Sequence, residues 1–195
     1  MKNILLFTLC LLLSVMMIAI VPTEADAAIY EDTLRLHILA PSDSAEDQAL
    51  KLLVRDKLLE KYSLTLAPLE SRDVAYGMLA ASIDSIESDC IGWVKEAGYD
   101  YSVKCEVATE WYNTREYESF TLPAGEYASL KITLGEGDGQ NWWCVVYPPL
   151  CLDAAISDSG GKYTDEENAL ITKSGYCVKF KLLEVTSAIL EGFSQ

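Results

Sequence analysis

One histidine and six cysteines bound the chemistry available to this 195-residue chain. Cys10 falls in an N-terminal apolar run, which leaves Cys90, Cys105, Cys144, Cys151 and Cys177 elsewhere. A cysteine hydrolase requires a thiolate beside a histidine base, so its pair would be His37 with Cys144 or Cys151. His37 alternates with apolar positions on 34–39 and shares a polar face with Arg35, which favours a hydrogen-bonding or solvated histidine over a base. The chain has no Gly-x-Ser-x-Gly elbow, no His-Glu-x-x-His helix and no Cys-x-x-Cys pair, the patterns of a nucleophilic serine, a zinc protease and a structural zinc site. Carboxylates are abundant because the whole chain is acidic, so choosing two as acid and base would be arbitrary. No catalytic residue is assigned, and no metal or cofactor is expected.

Five cysteines outside the apolar run are an odd number, so an exported chain leaves at least one unpaired. Cys144 and Cys151 flank Pro148 and Pro149, which can fold the chain back and bring the two sulfurs close. A bond there would close a short loop and add about 2.5 kcal/mol on the chain-entropy model. Two buried thiols are the alternative.

The stretch 122–151 concentrates Gly, Trp, Pro and Cys. Residues 127–134 alternate, with Leu130, Ile132 and Leu134 on one face. Gly135, Gly137 and Gly139 turn the chain, and 142–147 runs on as an apolar strand until the prolines stop it. The reading is a hairpin with a long glycine tip. A phosphate cradle is excluded, since the loop leads into a strand and places Glu136 and Asp138 where donors would be needed. Its spacing also fails to reproduce the twelve-residue calcium loop. Trp142 and Trp143 are adjacent, so on a strand they face opposite ways. Either both are packed in a two-layered domain, or one is exposed as the kind of anchor protein interfaces use.

These segments need elements to hold them. Residues 34–39 read as a half-buried strand. Pro41, Ser42, Asp43 and Ser44 make a turn, and Ser44 with Asp47 resembles a capping box opening a helix to about Tyr62. A second helix is expected from Ser71 to Gly98, with Tyr76, Leu79, Ile83, Ile86, Cys90, Trp93 and Ala97 on one stripe. The period then becomes two at 103–107, with 117–121 as a returning strand. A polar turn at 157–161, a short helix at 164–171, a strand at 176–183 and a helix at 185–190 complete the expectation. The fold class is α+β: one domain, a strand, two helices, a mostly antiparallel sheet and a C-terminal helix.

The N-terminus reads as an export signal. Lys2 precedes an apolar run from Ile4 to Val21, Pro22 breaks it, and Ala25, Asp26 and Ala27 offer a cleavage site. Residues 1–27 are therefore the expected signal peptide and 28–195 the extracytoplasmic domain. An uncleaved anchor is the alternative, because the run approaches the span of about 17 residues a bilayer needs. A net charge of −15 argues against nucleic acid or anionic lipid as partners.

Two blocks carry a resemblance to a known family. The first is LRLHILAPSDSAEDQALKLLVRD from Leu34, including Gln48, Leu50, Lys51 and Arg55. The second comprises Pro123 to Tyr127, Ile132 to Gly135, Gly137 to Gly139, Asn141 to Val145 and Pro148 to Cys151. Both resemble stage II sporulation protein R of endospore-forming bacteria, with Pro41 standing where that family carries a residue such as Asn. The resemblance implies a protein made in the forespore and exported into the space between two membranes. There it would trigger a membrane-embedded mother-cell protease that processes the precursor of sigma factor E. The chain would then be an activator and not an enzyme, with no small-molecule substrate. The expected partner-binding residues are Gly135, Gly137, Asp138, Gly139 and Asn141, then Trp142, Trp143, Pro148 and Pro149, joined by Ser42 and Asp43. The rival readings are the Cys-His hydrolase and an envelope glycan- or peptide-binding domain.

Overall fold

A computed structural model of the chain describes residues 24–66, 68–117 and 120–148, together with positions 4, 6–8, 10, 11 and 14. Among them lie helix α1 (Glu24–Asp32), strand β1 (Leu34–Leu39), helices α2 (Ala45–Leu66), α3 (Arg72–Ala81) and α4 (Ile83–Glu96), and strands β2 (Val103–Tyr112), β3 (Arg115–Glu116), β4 (Thr121–Leu122), β5 (Gly125–Leu134) and β6 (Asn141–Tyr147). The chain divides into two compact units, one of residues 30–110 and 126–164, the other of residues 1–29, 111–125 and 165–195.

The larger unit holds a four-stranded sheet in the order β2-β5-β1-β6. β1 runs parallel to β5, with Leu36 opposite Leu130 and His37 opposite Lys131. It runs antiparallel to β6, with Leu36 opposite Cys144 and His37 opposite Trp143. The expected β5–β6 hairpin is therefore wrong: β1 lies between the two strands, and the sheet is mixed. The reason is visible in β1. Leu34, Leu36 and Ile38 are wholly buried on one face, while Arg35 is wholly buried and His37 nearly so on the other. A strand buried on both faces belongs inside a sheet, not half-exposed as its alternation suggested.

On the first face, Leu34, Leu36 and Ile38 meet Ala128, Leu130 and Ile132 of β5 and Cys144 and Val146 of β6. Leu50, Val54 and Leu58 of α2, four residues apart, join this core, as do Ala75 and Leu79 of α3 and Ile86, Cys90 and Val94 of α4. α2 runs one turn beyond the expected end at Tyr62. Tyr62 and Lys61 both hydrogen-bond Asp89 of α4. Burial and that carboxylate push the Tyr62 hydroxyl up to about 12.

The single helix expected over 71–98 is two. Ser71 caps α3 by accepting the Val74 N–H. At Ser82 the backbone leaves helical geometry (φ −102°, ψ 5°), and its N–H serves both Met78 and Leu79 carbonyls. The apolar stripe continues across this break, which is why its periodicity reads as one helix. α4 ends before Gly98, whose φ of +88° reverses the chain.

In the smaller unit, β3 and β4 pair antiparallel, with Arg115 opposite Leu122 and Glu116 opposite Thr121. Tyr117 donates its N–H to the Phe120 carbonyl at 2.8 Å, and the two rings stack at 4.5 Å. The return strand expected at 117–121 is thus displaced, with Tyr117 and Phe120 in the turn. The elements expected at 157–161, 164–171, 176–183 and 185–190 lie outside the described residues, as do Pro149, Cys151 and Cys177. The expected cleavage point after Ala27 falls within α1. Among the described residues, no helix is long and apolar enough to cross a membrane.

Candidate functional site

The two sequence blocks meet at the C-terminal end of β1. With β1 between β5 and β6, the loop joining those strands must cross over the end of β1, where it lands on the turn that opens α2. Gly139 donates its N–H to the Ala40 carbonyl at 3.0 Å. Gln140 donates its N–H to Asp43 Oδ1 at 2.7 Å. From beneath, Lys51 Nζ donates to the Gln140 carbonyl at 2.8 Å and to Gln48 Oε1 at 2.6 Å. Gln48 Nε2 in turn donates to the Ser42 carbonyl at 2.8 Å. Turn and loop are thus held by one polar network rooted in the first turns of α2. Lys51 is 4% exposed, and burial lowers its ammonium pKa while the Asp43 charge opposes that shift.

The glycines follow from this crossing. Gly135 and Gly137 have φ of +60° and +74°, the left-handed region. A Cβ on Gly137 would stand 2.8 Å from Thr133 Cγ2, and one on Gly139 would stand 2.2 Å from the Ser42 carbonyl oxygen. A chain-turning role for these glycines is legible from the sequence; close approach to the turn is not, because nothing in a local pattern shows that β1 lies underneath.

The turn is capped in relay. Ser44 Oγ accepts the Asp47 N–H at 3.1 Å, as a capping box requires. The Asp47 carboxylate does not reach back to the Ser44 N–H. It accepts from Ser42 Oγ, which itself accepts the Ser44 N–H at 3.1 Å. The nearby Asp47 carboxylate raises the Tyr101 phenol pKa, and the Tyr101 ring stacks on Tyr99 at 5.7 Å.

Trp142 and Trp143 face opposite sides of the sheet, as adjacent strand residues must. Trp142 packs against the helical core, with the Arg55 guanidinium 4.9 Å from its ring centroid. Trp143 stacks on His37 with centroids 3.6 Å apart and planes 20° from parallel. Both rings are half-buried. Neither stands free as an anchor, so both owe their position to packing. Pro148 is buried and follows a cis peptide bond.

On the Trp143 face, His37 Nδ1 lies 3.1 Å from Glu110 Oε2, and Lys131 Nζ donates to Glu110 Oε1 at 2.7 Å. Ser129 Oγ donates to Glu110 Oε2 at 3.1 Å. Burial lowers the His37 pKa, partly offset by Glu110 and by a hydrogen bond with Asn141. Burial pushes the Glu110 carboxyl up, but hydrogen bonds from Lys131 and His37 outweigh it and hold the pKa below the usual value. The geometry is that of an ion-pair network holding an imidazole edge. Cys144 is buried on the opposite face and is disulfide-bonded, so it is not a thiolate beside His37. Its partner sulfur lies outside the described residues.

Ser42, Asp43, Gly135, Gly137, Asp138, Gly139 and Asn141 are thus brought to one end of the sheet. Sequence reasoning missed Gln48, Lys51, Glu110, Lys131 and Tyr101 as members of this assembly. Gln48, Lys51 and Arg55 recur at three and four residues on α2, a polar stripe adjoining the apolar one. That spacing was the available signal. Among the described residues, no group of three or more His, Cys, Asp or Glu side chains is placed to hold a metal ion.

Comparison with known proteins places the chain. The family model described as stage II sporulation protein R matches residues 30–157, which include both converging blocks. Stage II sporulation protein R of Bacillus subtilis (strain 168) is 33% identical over 138 residues, 70% of this chain and 62% of the relative's own length. No solved structure matches. With the family model spanning most of the sequence and both blocks joined in one hydrogen-bonded assembly, this chain belongs to the stage II sporulation protein R family.

Proposed function

We propose that this chain is an exported sporulation signal that switches on a membrane-embedded protease processing the precursor of mother-cell sigma factor E. The observation that carries the reading is the joining of turn 41–44 to loop 135–140. The most distinctive residues of the chain build a fixed polar surface there, and Cys144, one of two cysteines that could have armed His37, is held in a disulfide. The outward residues of this surface are Asp43, Glu46, Glu136, Asp138 and Asn141, all exposed. A partner with a complementary basic patch suits it, consistent with the −15 charge of the chain. The docking element is a loop on a turn, supported by the packed tryptophans, and not a free hairpin. Activation requires tighter binding to the active protease than to its inactive form. The site of action would be the space between forespore and mother-cell membranes.

The test is co-expression of the exported chain with the protease and its precursor substrate in a non-sporulating host, with cleavage followed by gel. Cleavage that depends on this chain and survives His37→Gln is the expected result. Absence of cleavage, with both proteins folded and correctly located, overturns the proposal.

A further inference from the structure

Cys90 and Cys105 take no part in the surface just described. Both are free thiols in the core, wholly buried and 7% exposed respectively. Cys90 stands on α4 one turn after Glu87, and Glu87 Oε2 accepts the backbone N–H of Cys105 at 2.8 Å. This bond fixes Cys105 of β2 against the face of α4 that carries Cys90. Both thiols belong to the same buried core cluster, and the neighbouring Cys90 is the first cause that raises the Cys105 pKa. The same chain already holds Cys144 in a disulfide, the state of a protein folded in oxidising surroundings.

From this placement we infer that Cys90 and Cys105 form a second disulfide in the oxidatively folded protein, fastening α4 to β2, and that it closes during folding and not afterwards. Closure takes one proton and one electron from each thiol. The oxidant is an exchangeable disulfide, protein-borne or of low molecular weight. One thiolate attacks it to give a mixed disulfide, the second displaces the remaining thiolate, and two thiols leave carrying the electrons. The timing follows from the surroundings. Cys90 is wholly buried and Cys105 7% exposed, so a dissolved oxidant does not reach either sulfur once the core is packed. The neighbouring Cys90, burial and the Glu87 charge also raise the Cys105 pKa, away from the attacking thiolate. Exchange therefore precedes packing. The bond also accounts for the odd cysteine count: Cys90 with Cys105, Cys144 with one of Cys151 and Cys177, and one thiol left over.

The experiment refolds the reduced full chain in a mixture of oxidised and reduced glutathione, blocks free thiols, digests without reduction and maps the peptides by mass spectrometry. A linked peptide containing Cys90 and Cys105 is expected. Recovery of both as blocked thiols, with Cys144 linked, overturns the inference. Because the oxidant is supplied in the tube, this outcome is independent of where the protein acts in the cell. A second measurement tests the timing. In protein folded under reducing conditions, alkylation of the two thiols should run at least about 100-fold slower than in denaturant; equal rates would mean that the bond can close after folding. Selective loss of this bond should lower Tm by about 6–12 °C.

Discussion

The carbonyl oxygen of Ser42 lies 2.2 Å from where a Cβ on Gly139 would stand, so the loop between β5 and β6 is seated on the α2 turn at glycine-only range. The neighbour is backbone, held by Gln48 and by the cap of α2, and it cannot swing aside as a side-chain tip could. Gly139→Ala should therefore cost about 1–3 kcal/mol, measured by urea unfolding. Gly92, inside α4 with open space around its Cα, is the control: Gly92→Ala should gain up to about 1 kcal/mol. Equal effects of the two changes would contradict the seated loop.

Lys51 joins the same loop to α2 from below. Lys51→Met keeps the stem and removes the donors to Gln140 and Gln48. It should lose about 1.5–3 kcal/mol, as for other hydrogen bonds to charged groups. Hydrogen exchange should rise at the Gly139 and Gln140 amides while β1 amides stay protected. Uniform acceleration across the sheet would instead mean that Lys51 supports the whole core.

His37 offers a clean titration, because the only histidine gives one imidazole signal by NMR. Its folded pKa is lowered from 6.5, so the folded state binds its proton less readily than the unfolded chain. Stability from this group is present above 6.5 and is lost as pH falls through the window below it. Glu110, also lowered, acts with the same sign below about 4.5. Acidification from neutral pH should therefore destabilise, in two stages. Glu110→Gln removes the charge that favours the imidazolium and should lower the His37 pKa further. An apparent value at or above 6.5 in the native protein would contradict the burial argument.

Asp138 tests the proposed docking surface without touching the fold. It is exposed, so Asp138→Lys should change stability by no more than about 0.5 kcal/mol. Reversing its charge should reduce protease stimulation in the co-expression assay. Unchanged stimulation by folded Asp138→Lys protein would remove this loop from the interface.

Much of the architecture was legible because it is written locally. The Ser44–Asp47 cap, the stripe from Leu79 through Cys90 and the alternation of β5 each depend on residues a few positions apart. What escaped was non-local. Placing β1 between β5 and β6 depends on pairings such as His37 with Trp143 and Lys131, and adjacency of β5 and β6 in sequence pointed instead to a hairpin. The break at Ser82 was hidden because the apolar stripe crosses it in phase. Arg35 and His37, polar on an alternating strand, imitated a solvated face although both are buried. Of the residues expected at the site, Ser42, Asp43, Gly135, Gly137, Asp138, Gly139 and Asn141 lie at the turn and the loop that meet, whereas Trp142, Trp143 and Pro148 are packed or buried. The cause of that meeting, one backbone crossing another, required three dimensions.

The insertion of β1 also sets an order of events. A chain made from its N-terminus presents Leu34, Leu36 and Ile38 long before the residues that flank them exist. Ile132 and Trp142, the partners of Ile38, come about 100 residues later in the sequence. Meanwhile β5 and β6, near neighbours along the chain, are free to close on one another first and would have to part again to admit β1. The sheet should thus close slowly and late, against a competing local pairing of β5 with β6. Protection of β1 amides should appear in the last kinetic phase of refolding, together with that of β6.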